Sequence, residues 1–182
     1  MILKNFYGHF MTITRHRHLV MKLCFRVGLY KQGLLHDLSK YTPKEFLTGV
    51  RYYQGYRSPN TAEREQCGYS DAWLHHKGRN KHHMEYWIDY SLNMEEGMVG
   101  MKMPTRYVVE MFCDRVAASK NYNKESYTDA DPLKYYLKRR HRYIVHPQTE
   151  KLLKYLLVML AKKGEDYTFH YINTKVLRRK EK

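Results

Sequence analysis

Apolar residues that recur at three- and four-residue spacing are the main structural signal in this 182-residue chain. They predict an amphipathic helix over about residues 16–30 and a second short helix over residues 34–38. A third helix should begin at Pro43, because Thr42 and Glu45 have the spacing of a capping box. The apolar stripe of the first helix consists of Leu19, Val20, Leu23, Cys24 and Val27.

The middle of the chain carries weaker signals. Residues 54–68 contain several Gly, Ser, Pro and Asn residues and predict a loop with about one helical turn. Ser70 can serve as the N-cap of a helix that carries Trp73, and residues 84–94 are compatible with another helix. No segment has the pattern of a β-hairpin, so no sheet is expected.

Three further helices are expected in the C-terminal part. The longest covers Thr105–Tyr122, and two others begin where a proline follows a polar residue, at Pro132 and Pro147. The last helix should end at Gly164, because glycine is common just past a helix C-terminus.

The composition is that of a folded globule, with 43% hydrophobic residues and no long polar tract. Together with the helical pattern, it predicts an all-α protein. The expected architecture is a single compact bundle of about six to eight helices over residues 1–182, with a basic tail from about residue 173.

The spacing of the cysteines and the length of the apolar runs indicate the cellular compartment of the protein. The three cysteines are widely spaced, which argues against a disulfide framework and against a thiolate zinc site. A reducing environment fits this usage best. The N-terminus has no signal-peptide pattern and no apolar run is long enough to span a bilayer, so we expect a cytoplasmic protein with no membrane partner.

The chain is strongly basic, with 33 Lys and Arg against 18 Asp and Glu and a formal net charge of +15. Such a charge attracts polyanions, so the expected partner is a phosphorylated substrate, a nucleotide or a nucleic acid. The 18 tyrosines could stack on bases, although tyrosines also pack in ordinary cores.

Eleven histidines are the main chemical signal, and six of them fall in two clusters. The first cluster, RHRH at residues 15–18, is followed by the pair His36 and Asp37, with Lys40 three residues later. Imidazole and carboxylate without thiolate suit a hydrolytic or redox metal better than a structural one. A solvated, pH-sensitive loop is the alternative for the second cluster, whose polar members are His75, His76, Arg79, Asn80, His82, His83, Glu85 and Asp89.

Asp114 is the third chemical element. It lies in the segment EMFCDRVAASK, among apolar and small neighbours, so its carboxylate needs a buried partner. A salt bridge to Arg115 or to a lysine would satisfy it, and a metal ion would satisfy it better.

The order His16, His36 with Asp37, and Asp114 resembles the H…HD…D signature of the HD-domain superfamily of metal-dependent phosphohydrolases. GLLHDLSK is similar to the apolar-LLHD-x-x-K segment of that superfamily, and CDRVAAS is similar to its closing Asp helix. His16 is preferred to His18 because the superfamily has an aliphatic residue four positions after this histidine. The resemblance implies a helical HD fold with a metal site at these residues.

The segments HDLSKYTPKEF, WLHHKGRNKHH, EYW and EMFCDRVAA also resemble a bacterial and phage domain-of-unknown-function family, over most of residues 15–125. The extra histidines are similar to the H…HD…H…H…D pattern of two-metal HD proteins. Those proteins include cyclic-dinucleotide phosphodiesterases and di-iron oxygenases. No GYP-type motif follows here, which argues against the cyclic-dinucleotide activity.

Residues and resemblance together predict an enzyme, a phosphohydrolase or phosphodiesterase that acts on a nucleotide, an oligonucleotide or a related phosphate ester. It would use one or two divalent ions of zinc, manganese, iron, nickel or cobalt. The alternatives are a di-iron oxygenase on the same scaffold and a nucleic-acid-binding protein with a structural or vestigial metal site. The candidate ligands are His16, His36, Asp37, His75, His76, His82, His83 and Asp114, the catalytic candidates are Asp37, Lys40 and Glu85, and the phosphate-binding candidates are Lys40, Arg79 and Asn80.

Overall fold

The computed structural model describes residues 2–178, and within that range the chain forms eight α-helices and one small antiparallel sheet. The expected all-α helical bundle is therefore confirmed. No helix in the described range is both long and apolar enough to cross a membrane. The elements are α1 (Ile2–Arg26), α2 (Tyr30–Leu35), α3 (Pro43–Arg51), α4 (Pro59–Cys67), α5 (Asp71–Lys77), β1 (Ile88–Tyr90), β2 (Met98–Gly100), α6 (Thr105–Asn123), α7 (Asp131–Arg139) and α8 (Pro147–Tyr171).

α1 begins at Ile2, well before the predicted start near residue 16. Phe6 and Tyr7 in its first half are exposed, so no complete apolar stripe marks this part of the helix in the sequence. α1 is followed by Gly28, whose φ of 78° is a conformation that glycine adopts without strain. The buried face of α1 has helical spacing throughout and consists of His9, Ile13, His16, Val20, Leu23 and Cys24.

α6 is the central helix of the bundle, and its predicted range is confirmed within one residue. It packs against both α1 and α8. Val109, Phe112 and Val116 are fully buried on it, and each such side chain contributes about 1.5–3 kcal/mol when removed from water. This packing fixes α1 and α6 side by side, which positions the residues of the candidate site.

The helix predicted over residues 34–38 is wrong, because α2 ends at Leu35. His36 follows with a φ of −53° and a ψ of 128°, and Asp37 has the left-handed conformation, before a short 3-10 helix at Leu38–Tyr41. Leu34 and Leu35 are about half exposed and do not seat the pair against the core. His36 and Asp37 therefore follow α2 with a non-helical backbone, and Nε2 of His36 lies 3.4 Å from Oδ2 of Asp37.

α3 begins at Pro43 as predicted, but the capping box is not formed. The Thr42 hydroxyl donates a hydrogen bond to the Ser39 carbonyl at 2.7 Å, and it accepts none from the helix. The Glu45 carboxylate is buried and turns towards two histidines of α5. An acid that fits a capping pattern thus has a different role here.

The loop predicted for residues 54–68 is largely a helix, since α4 occupies Pro59–Cys67. A proline in its first turn supplies a backbone angle suited to helix initiation. The expected N-cap of α5 is confirmed, because the Ser70 hydroxyl accepts a hydrogen bond from the Trp73 N–H at 3.0 Å.

The helix predicted for residues 84–94 is also wrong. A 3-10 helix at Met84–Trp87 leads into β1, which pairs with β2 so that Asp89 lies opposite Val99. The strands are only three residues long and Tyr90 is exposed, so the alternation of buried and exposed residues that predicts a strand is not visible.

The predicted helix starts before Pro132 and at Pro147 are confirmed by α7 and α8. Gly164, however, interrupts α8 with a non-helical backbone and does not end it. Thr168 and Phe169 beyond it are buried against the core. The sequence after Gly164 has no regular apolar stripe, so the continuation of the helix was not expected.

Part of the predicted basic tail is ordered against the bundle. Residues Ile172–Val176 form a π-helix, and Val176 and Leu177 pack against the core. The remainder of the predicted tail, residues 179–182, lies outside the described residues.

Candidate metal centre

Four residues from three separate segments converge in the way the H…HD…D pattern predicts. His16, His36, Asp37 and Asp114 offer ligand atoms that all lie within 4.8 Å of one another. The Nε2 atom of His16 lies 3.0 Å from Oδ1 of Asp114 and 3.6 Å from Oδ2 of Asp37. His18, the alternative to His16, is exposed on another face of α1.

Asp37 also belongs to a second group, formed with His76, His82 and His83. Its Oδ2 faces the His16 and His36 nitrogens, whereas its Oδ1 lies 3.3 Å from Nε2 of His76 and 3.4 Å from Nε2 of His82. The two carboxylate oxygens therefore face two different sets of imidazoles. This is the arrangement of a carboxylate that can bridge two cations.

The backbone at Asp37 is unusual, with a φ of 55° and a ψ of 23°. Only a few per cent of non-glycine residues adopt this left-handed conformation, and such residues cluster at functional sites. The conformation turns the fully buried Asp37 carboxylate inward from the end of α2.

Glu110 orients two of the imidazoles. Its Oε1 lies 2.9 Å from Nδ1 of His36 and 3.2 Å from Nδ1 of His82. Burial alone raises the pKa of Glu110, but the hydrogen bonds from these histidines hold the pKa below its usual value. An ionised carboxylate only accepts hydrogen bonds, so both rings donate Nδ1–H and turn Nε2 towards the other ligand atoms.

Glu45 has the same role for the histidines of α5. It accepts from Nδ1 of His76 at 2.8 Å and from Nδ1 of His75 at 2.6 Å. His76 thereby presents Nε2 to Asp37, whereas His75 belongs to none of the three groups of ligand atoms that converge among residues 2–178. His75 makes the same kind of contact with Glu45 as His76 does, but only His76 of the two offers a ligand atom to these groups.

Asn80 is also placed differently from its prediction. Its amide nitrogen donates to the Ser39 hydroxyl at 2.9 Å and to the His76 carbonyl at 2.8 Å. These bonds use the donors of the Asn80 amide and tie it to His76 and Ser39.

The predicted role of Glu85 has no support. It lies half-buried in the short 3-10 helix after the second cluster and belongs to none of the convergent groups found in the described chain. The acids that contact the Nδ1 atoms of the imidazoles are Glu45 and Glu110 instead.

The electrostatics of the centre favour a cation between its groups. Burial alone would raise the pKa of Asp37, but His36, Lys40 and His76 hold this pKa well below the usual value. Burial would also raise the pKa of Asp114, but the hydrogen bonds of His16 and His36 hold it well below its usual value. Both carboxylates are therefore ionised.

His82 and His83 are kept neutral. Burial lowers the pKa of both rings. The neighbouring His36 lowers the pKa of His82 further, and His82 and His76 lower that of His83. A neutral imidazole has the free lone pair that metal coordination requires.

The centre also contains buried polar atoms without hydrogen-bond partners among the described residues. Leaving such an atom unpaired costs about 1–3 kcal/mol, so each needs an explanation. Divalent cations would satisfy all of them, and donors of this kind, nitrogen and oxygen without sulfur, suit transition metals. These atoms are Nε2 of His36, Oδ1 of Asp37 and Nε2 of His82.

A cavity of about 250 Å³ opens over the two ligand groups. Its walls include His16, Asp114 and His83 together with Lys40, whose Nζ lies 2.5 Å from Oδ2 of Asp37. Burial alone would lower the pKa of Lys40, but Asp37 and Asp114 raise it above its usual value. Lys40 is therefore a permanent cation beside the candidate metal positions.

The three predicted phosphate-binding residues do not form one site. Lys40 lines the cavity over the ligands, whereas Arg79 and Asn80 line a separate cavity. Arg79 is exposed and donates to the His75 carbonyl at 3.2 Å. A clamp made of all three residues is thus excluded by their positions.

Sequence reasoning missed Glu110 and Glu45. Glu110 precedes Asp114 by four residues on α6, which places both on one helix face, and that spacing was an available signal. Glu45 was hidden because its position also fits a capping box.

Comparison with known proteins identifies one related group. The model of DUF5662, a family of unknown function, matches residues 5–159. That range contains every residue of the candidate metal centre. Neither the curated proteins nor the solved structures include a match.

Proposed function

The chain belongs to DUF5662, a family of unknown function, and we propose that it is a hydrolase of phosphate esters that uses two divalent metal ions. The observation that carries this proposal is the position of Asp37, whose two oxygens face two groups of ligand atoms. The order of the first group along the chain also resembles the HD-domain phosphohydrolases.

The ligands would divide between two positions. His16, His36 and Asp114 would hold one ion, and His76, His82 and His83 the other, with Asp37 between them. Glu110 and Glu45 would keep the imidazoles in the tautomer that presents Nε2. Ions bound here would lower the pKa of water and polarise a phosphoryl group.

Lys40 would bind the substrate. Its raised pKa keeps it protonated, so it cannot act as a general base, but it can donate hydrogen bonds to a phosphoryl oxygen. The net charge of +15 supports an anionic substrate, and the tyrosines Tyr53, Tyr122 and Tyr135 in the cavity wall offer aromatic surface to a base. A nucleotide or another phosphate ester of similar size fits these features.

A di-iron oxygenase is the second candidate, because five imidazoles and two carboxylates also suit iron. It would share the ligands but would consume oxygen. A nucleic-acid-binding protein in which the ions are only structural is the third candidate, supported by the basic charge alone.

The test combines metal analysis with an activity screen. The chain is purified with and without oxygen, loaded with manganese, iron, zinc, cobalt or nickel, and assayed against nucleotides, phosphodiesters and short RNA or DNA. We expect phosphate release that Asp37→Asn abolishes and that the exposed control Asp89→Asn retains. Oxygen consumption without phosphate release would establish the oxygenase instead, and salt-dependent nucleic-acid binding without turnover would support the third candidate.

A further inference from the structure

A second cavity, of about 290 Å³, approaches the metal centre from a different set of residues. Its walls include His36, His82 and Glu110, and it shares no lining residue with the cavity over Lys40. Glu110 contacts the Nδ1 atoms of both histidines, so this cavity meets the ligands on the side turned away from the cations they would bind.

The rim of this cavity is strongly basic. Four exposed cations from three parts of the chain surround it: Lys31 on α2, Arg79 and Lys81 after α5, and Arg106 on α6. None of the four has an ion-pair partner in the described range 2–178, and two lie over tyrosine rings, Lys81 on Tyr86 and Arg106 on Tyr107.

The acid and amide groups of the cavity do not neutralise this charge. Glu110 is its one acidic lining residue among those described, and the carboxylate already accepts hydrogen bonds from His36 and His82. Gln32 also lines the cavity, and its amide nitrogen is buried without a hydrogen-bond partner among the described residues. The cavity therefore combines an excess of positive charge with a buried donor that has no acceptor.

We propose that this basic cleft, defined by Lys31, Gln32, Arg79, Lys81 and Arg106, binds the phosphoryl group of a phosphate or diphosphate at a site separate from the metal centre. The cleft offers many hydrogen-bond donors, from two guanidinium groups, two ammonium groups and an amide. A ligand with a single carboxylate has two acceptor oxygens, whereas a phosphoryl group has three and uses these donors better. The volume lies near the lower limit of small-molecule sites and fits a small anion. This proposal does not depend on the hydrolase function.

The test measures binding of inorganic pyrophosphate by calorimetry, without added divalent ions, in the full chain and in three full-length variants. Asp37→Ala removes the residue shared by the metal groups. Arg79→Gln combined with Arg106→Gln removes two charges from the cleft. Lys151→Gln combined with Lys154→Gln removes two charges from exposed positions on α8 and is the matched control.

We expect the wild-type chain and Asp37→Ala to bind with affinities within about threefold of each other and the cleft variant to bind about tenfold or more weakly. The α8 control should stay within about twofold of the wild type, and circular dichroism should be the same for all four proteins. Loss of binding in Asp37→Ala would overturn the proposal, because the anion would then lie at the metal centre. Equal weakening in the cleft variant and in the α8 control would overturn it too, because only net charge would matter.

A competition arm identifies the source of the phosphoryl group. A short single-stranded oligonucleotide is added to the wild type and to the cleft variant, each with bound pyrophosphate. If it displaces pyrophosphate from the wild type but not from the cleft variant, with a steep salt dependence, the ligand is a nucleic-acid backbone. If it does not displace pyrophosphate, the cleft takes a free phosphate compound.

Discussion

His16 and Asp114 lie 3.0 Å apart, between Nε2 and Oδ1, although 98 residues separate them in the chain. The first is on α1 and the second on α6, and the packing of these two helices brings them together. This contact places two of the four ligand atoms of the first candidate group close together.

Replacing His16 with Gln should therefore weaken metal binding. His18→Gln is the matched control, because His18 lies two residues away on the same helix but is exposed. The loss for His16→Gln should equal or exceed the roughly 10–100-fold loss that is typical when only an outer partner of a ligand is removed. Competition with a metal chelator measures both affinities, and equal affinities for the two variants would remove His16 from the site.

Glu110→Gln should reduce metal affinity by about 10–100-fold without loss of helix content. A neutral amide has a single acceptor oxygen and is a weaker acceptor than the carboxylate that holds His36 and His82. The exposed Glu96→Gln is the control. If Glu110→Gln binds metal as tightly as the wild type, the tautomers of the two histidines are set by other contacts.

His9 should make the protein less stable in mild acid. Burial, with a smaller effect of the Lys40 charge, lowers the pKa of His9 from 6.5 to about 4 in the folded chain. Between these values the unfolded chain binds a proton that the folded chain does not, so stability is full above pH 6.5 and falls as the pH falls towards 4. From pH 7.5 to pH 5 the loss due to His9 should be about 2 kcal/mol.

The measurement is the free energy of unfolding in urea at both pH values, for the wild type and for His9→Gln. The imidazoles and carboxylates of the metal centre titrate in both proteins, so the difference between the two pH-dependent losses isolates His9. The wild type should lose about 2 kcal/mol more than the variant. An equal loss in both proteins would mean that His9 is as easily protonated in the folded chain as in the unfolded one.

The parts of the fold that the sequence predicts well are those with a strong local cause. α6 carries closely spaced apolar residues, and Pro43 and Pro147 mark helix starts because proline lacks the N–H that the first turn does not use. The hairpin of β1 and β2 was not predictable in this way, because its short strands carry exposed apolar residues such as Tyr90 and Met98.

The sequence predicts those ligand candidates that follow a known order along the chain. It does not predict those whose orientation depends on tertiary contacts. The first group of ligand atoms follows a residue order that is visible in the linear sequence; its members are His16, His36, Asp37 and Asp114. The four neighbouring histidines lie close together in the sequence, and Glu45 on α3 contacts both His75 and His76. Only the packing of the helices shows that His76 offers a ligand atom to these groups and His75 does not.

The metal-to-protein ratio of the wild-type chain and of Asp37→Ala, after loading with the preferred metal and removal of free ions, tests whether Asp37 joins two metal positions. We expect about two ions per wild-type chain and almost none in the variant, because both groups lose their shared oxygen donor. Circular dichroism of the same samples should show unchanged helix content, since the core of α1, α6 and α8 does not depend on the ions. An Asp37→Ala chain that retains the wild-type ratio would contradict the bridging role of Asp37.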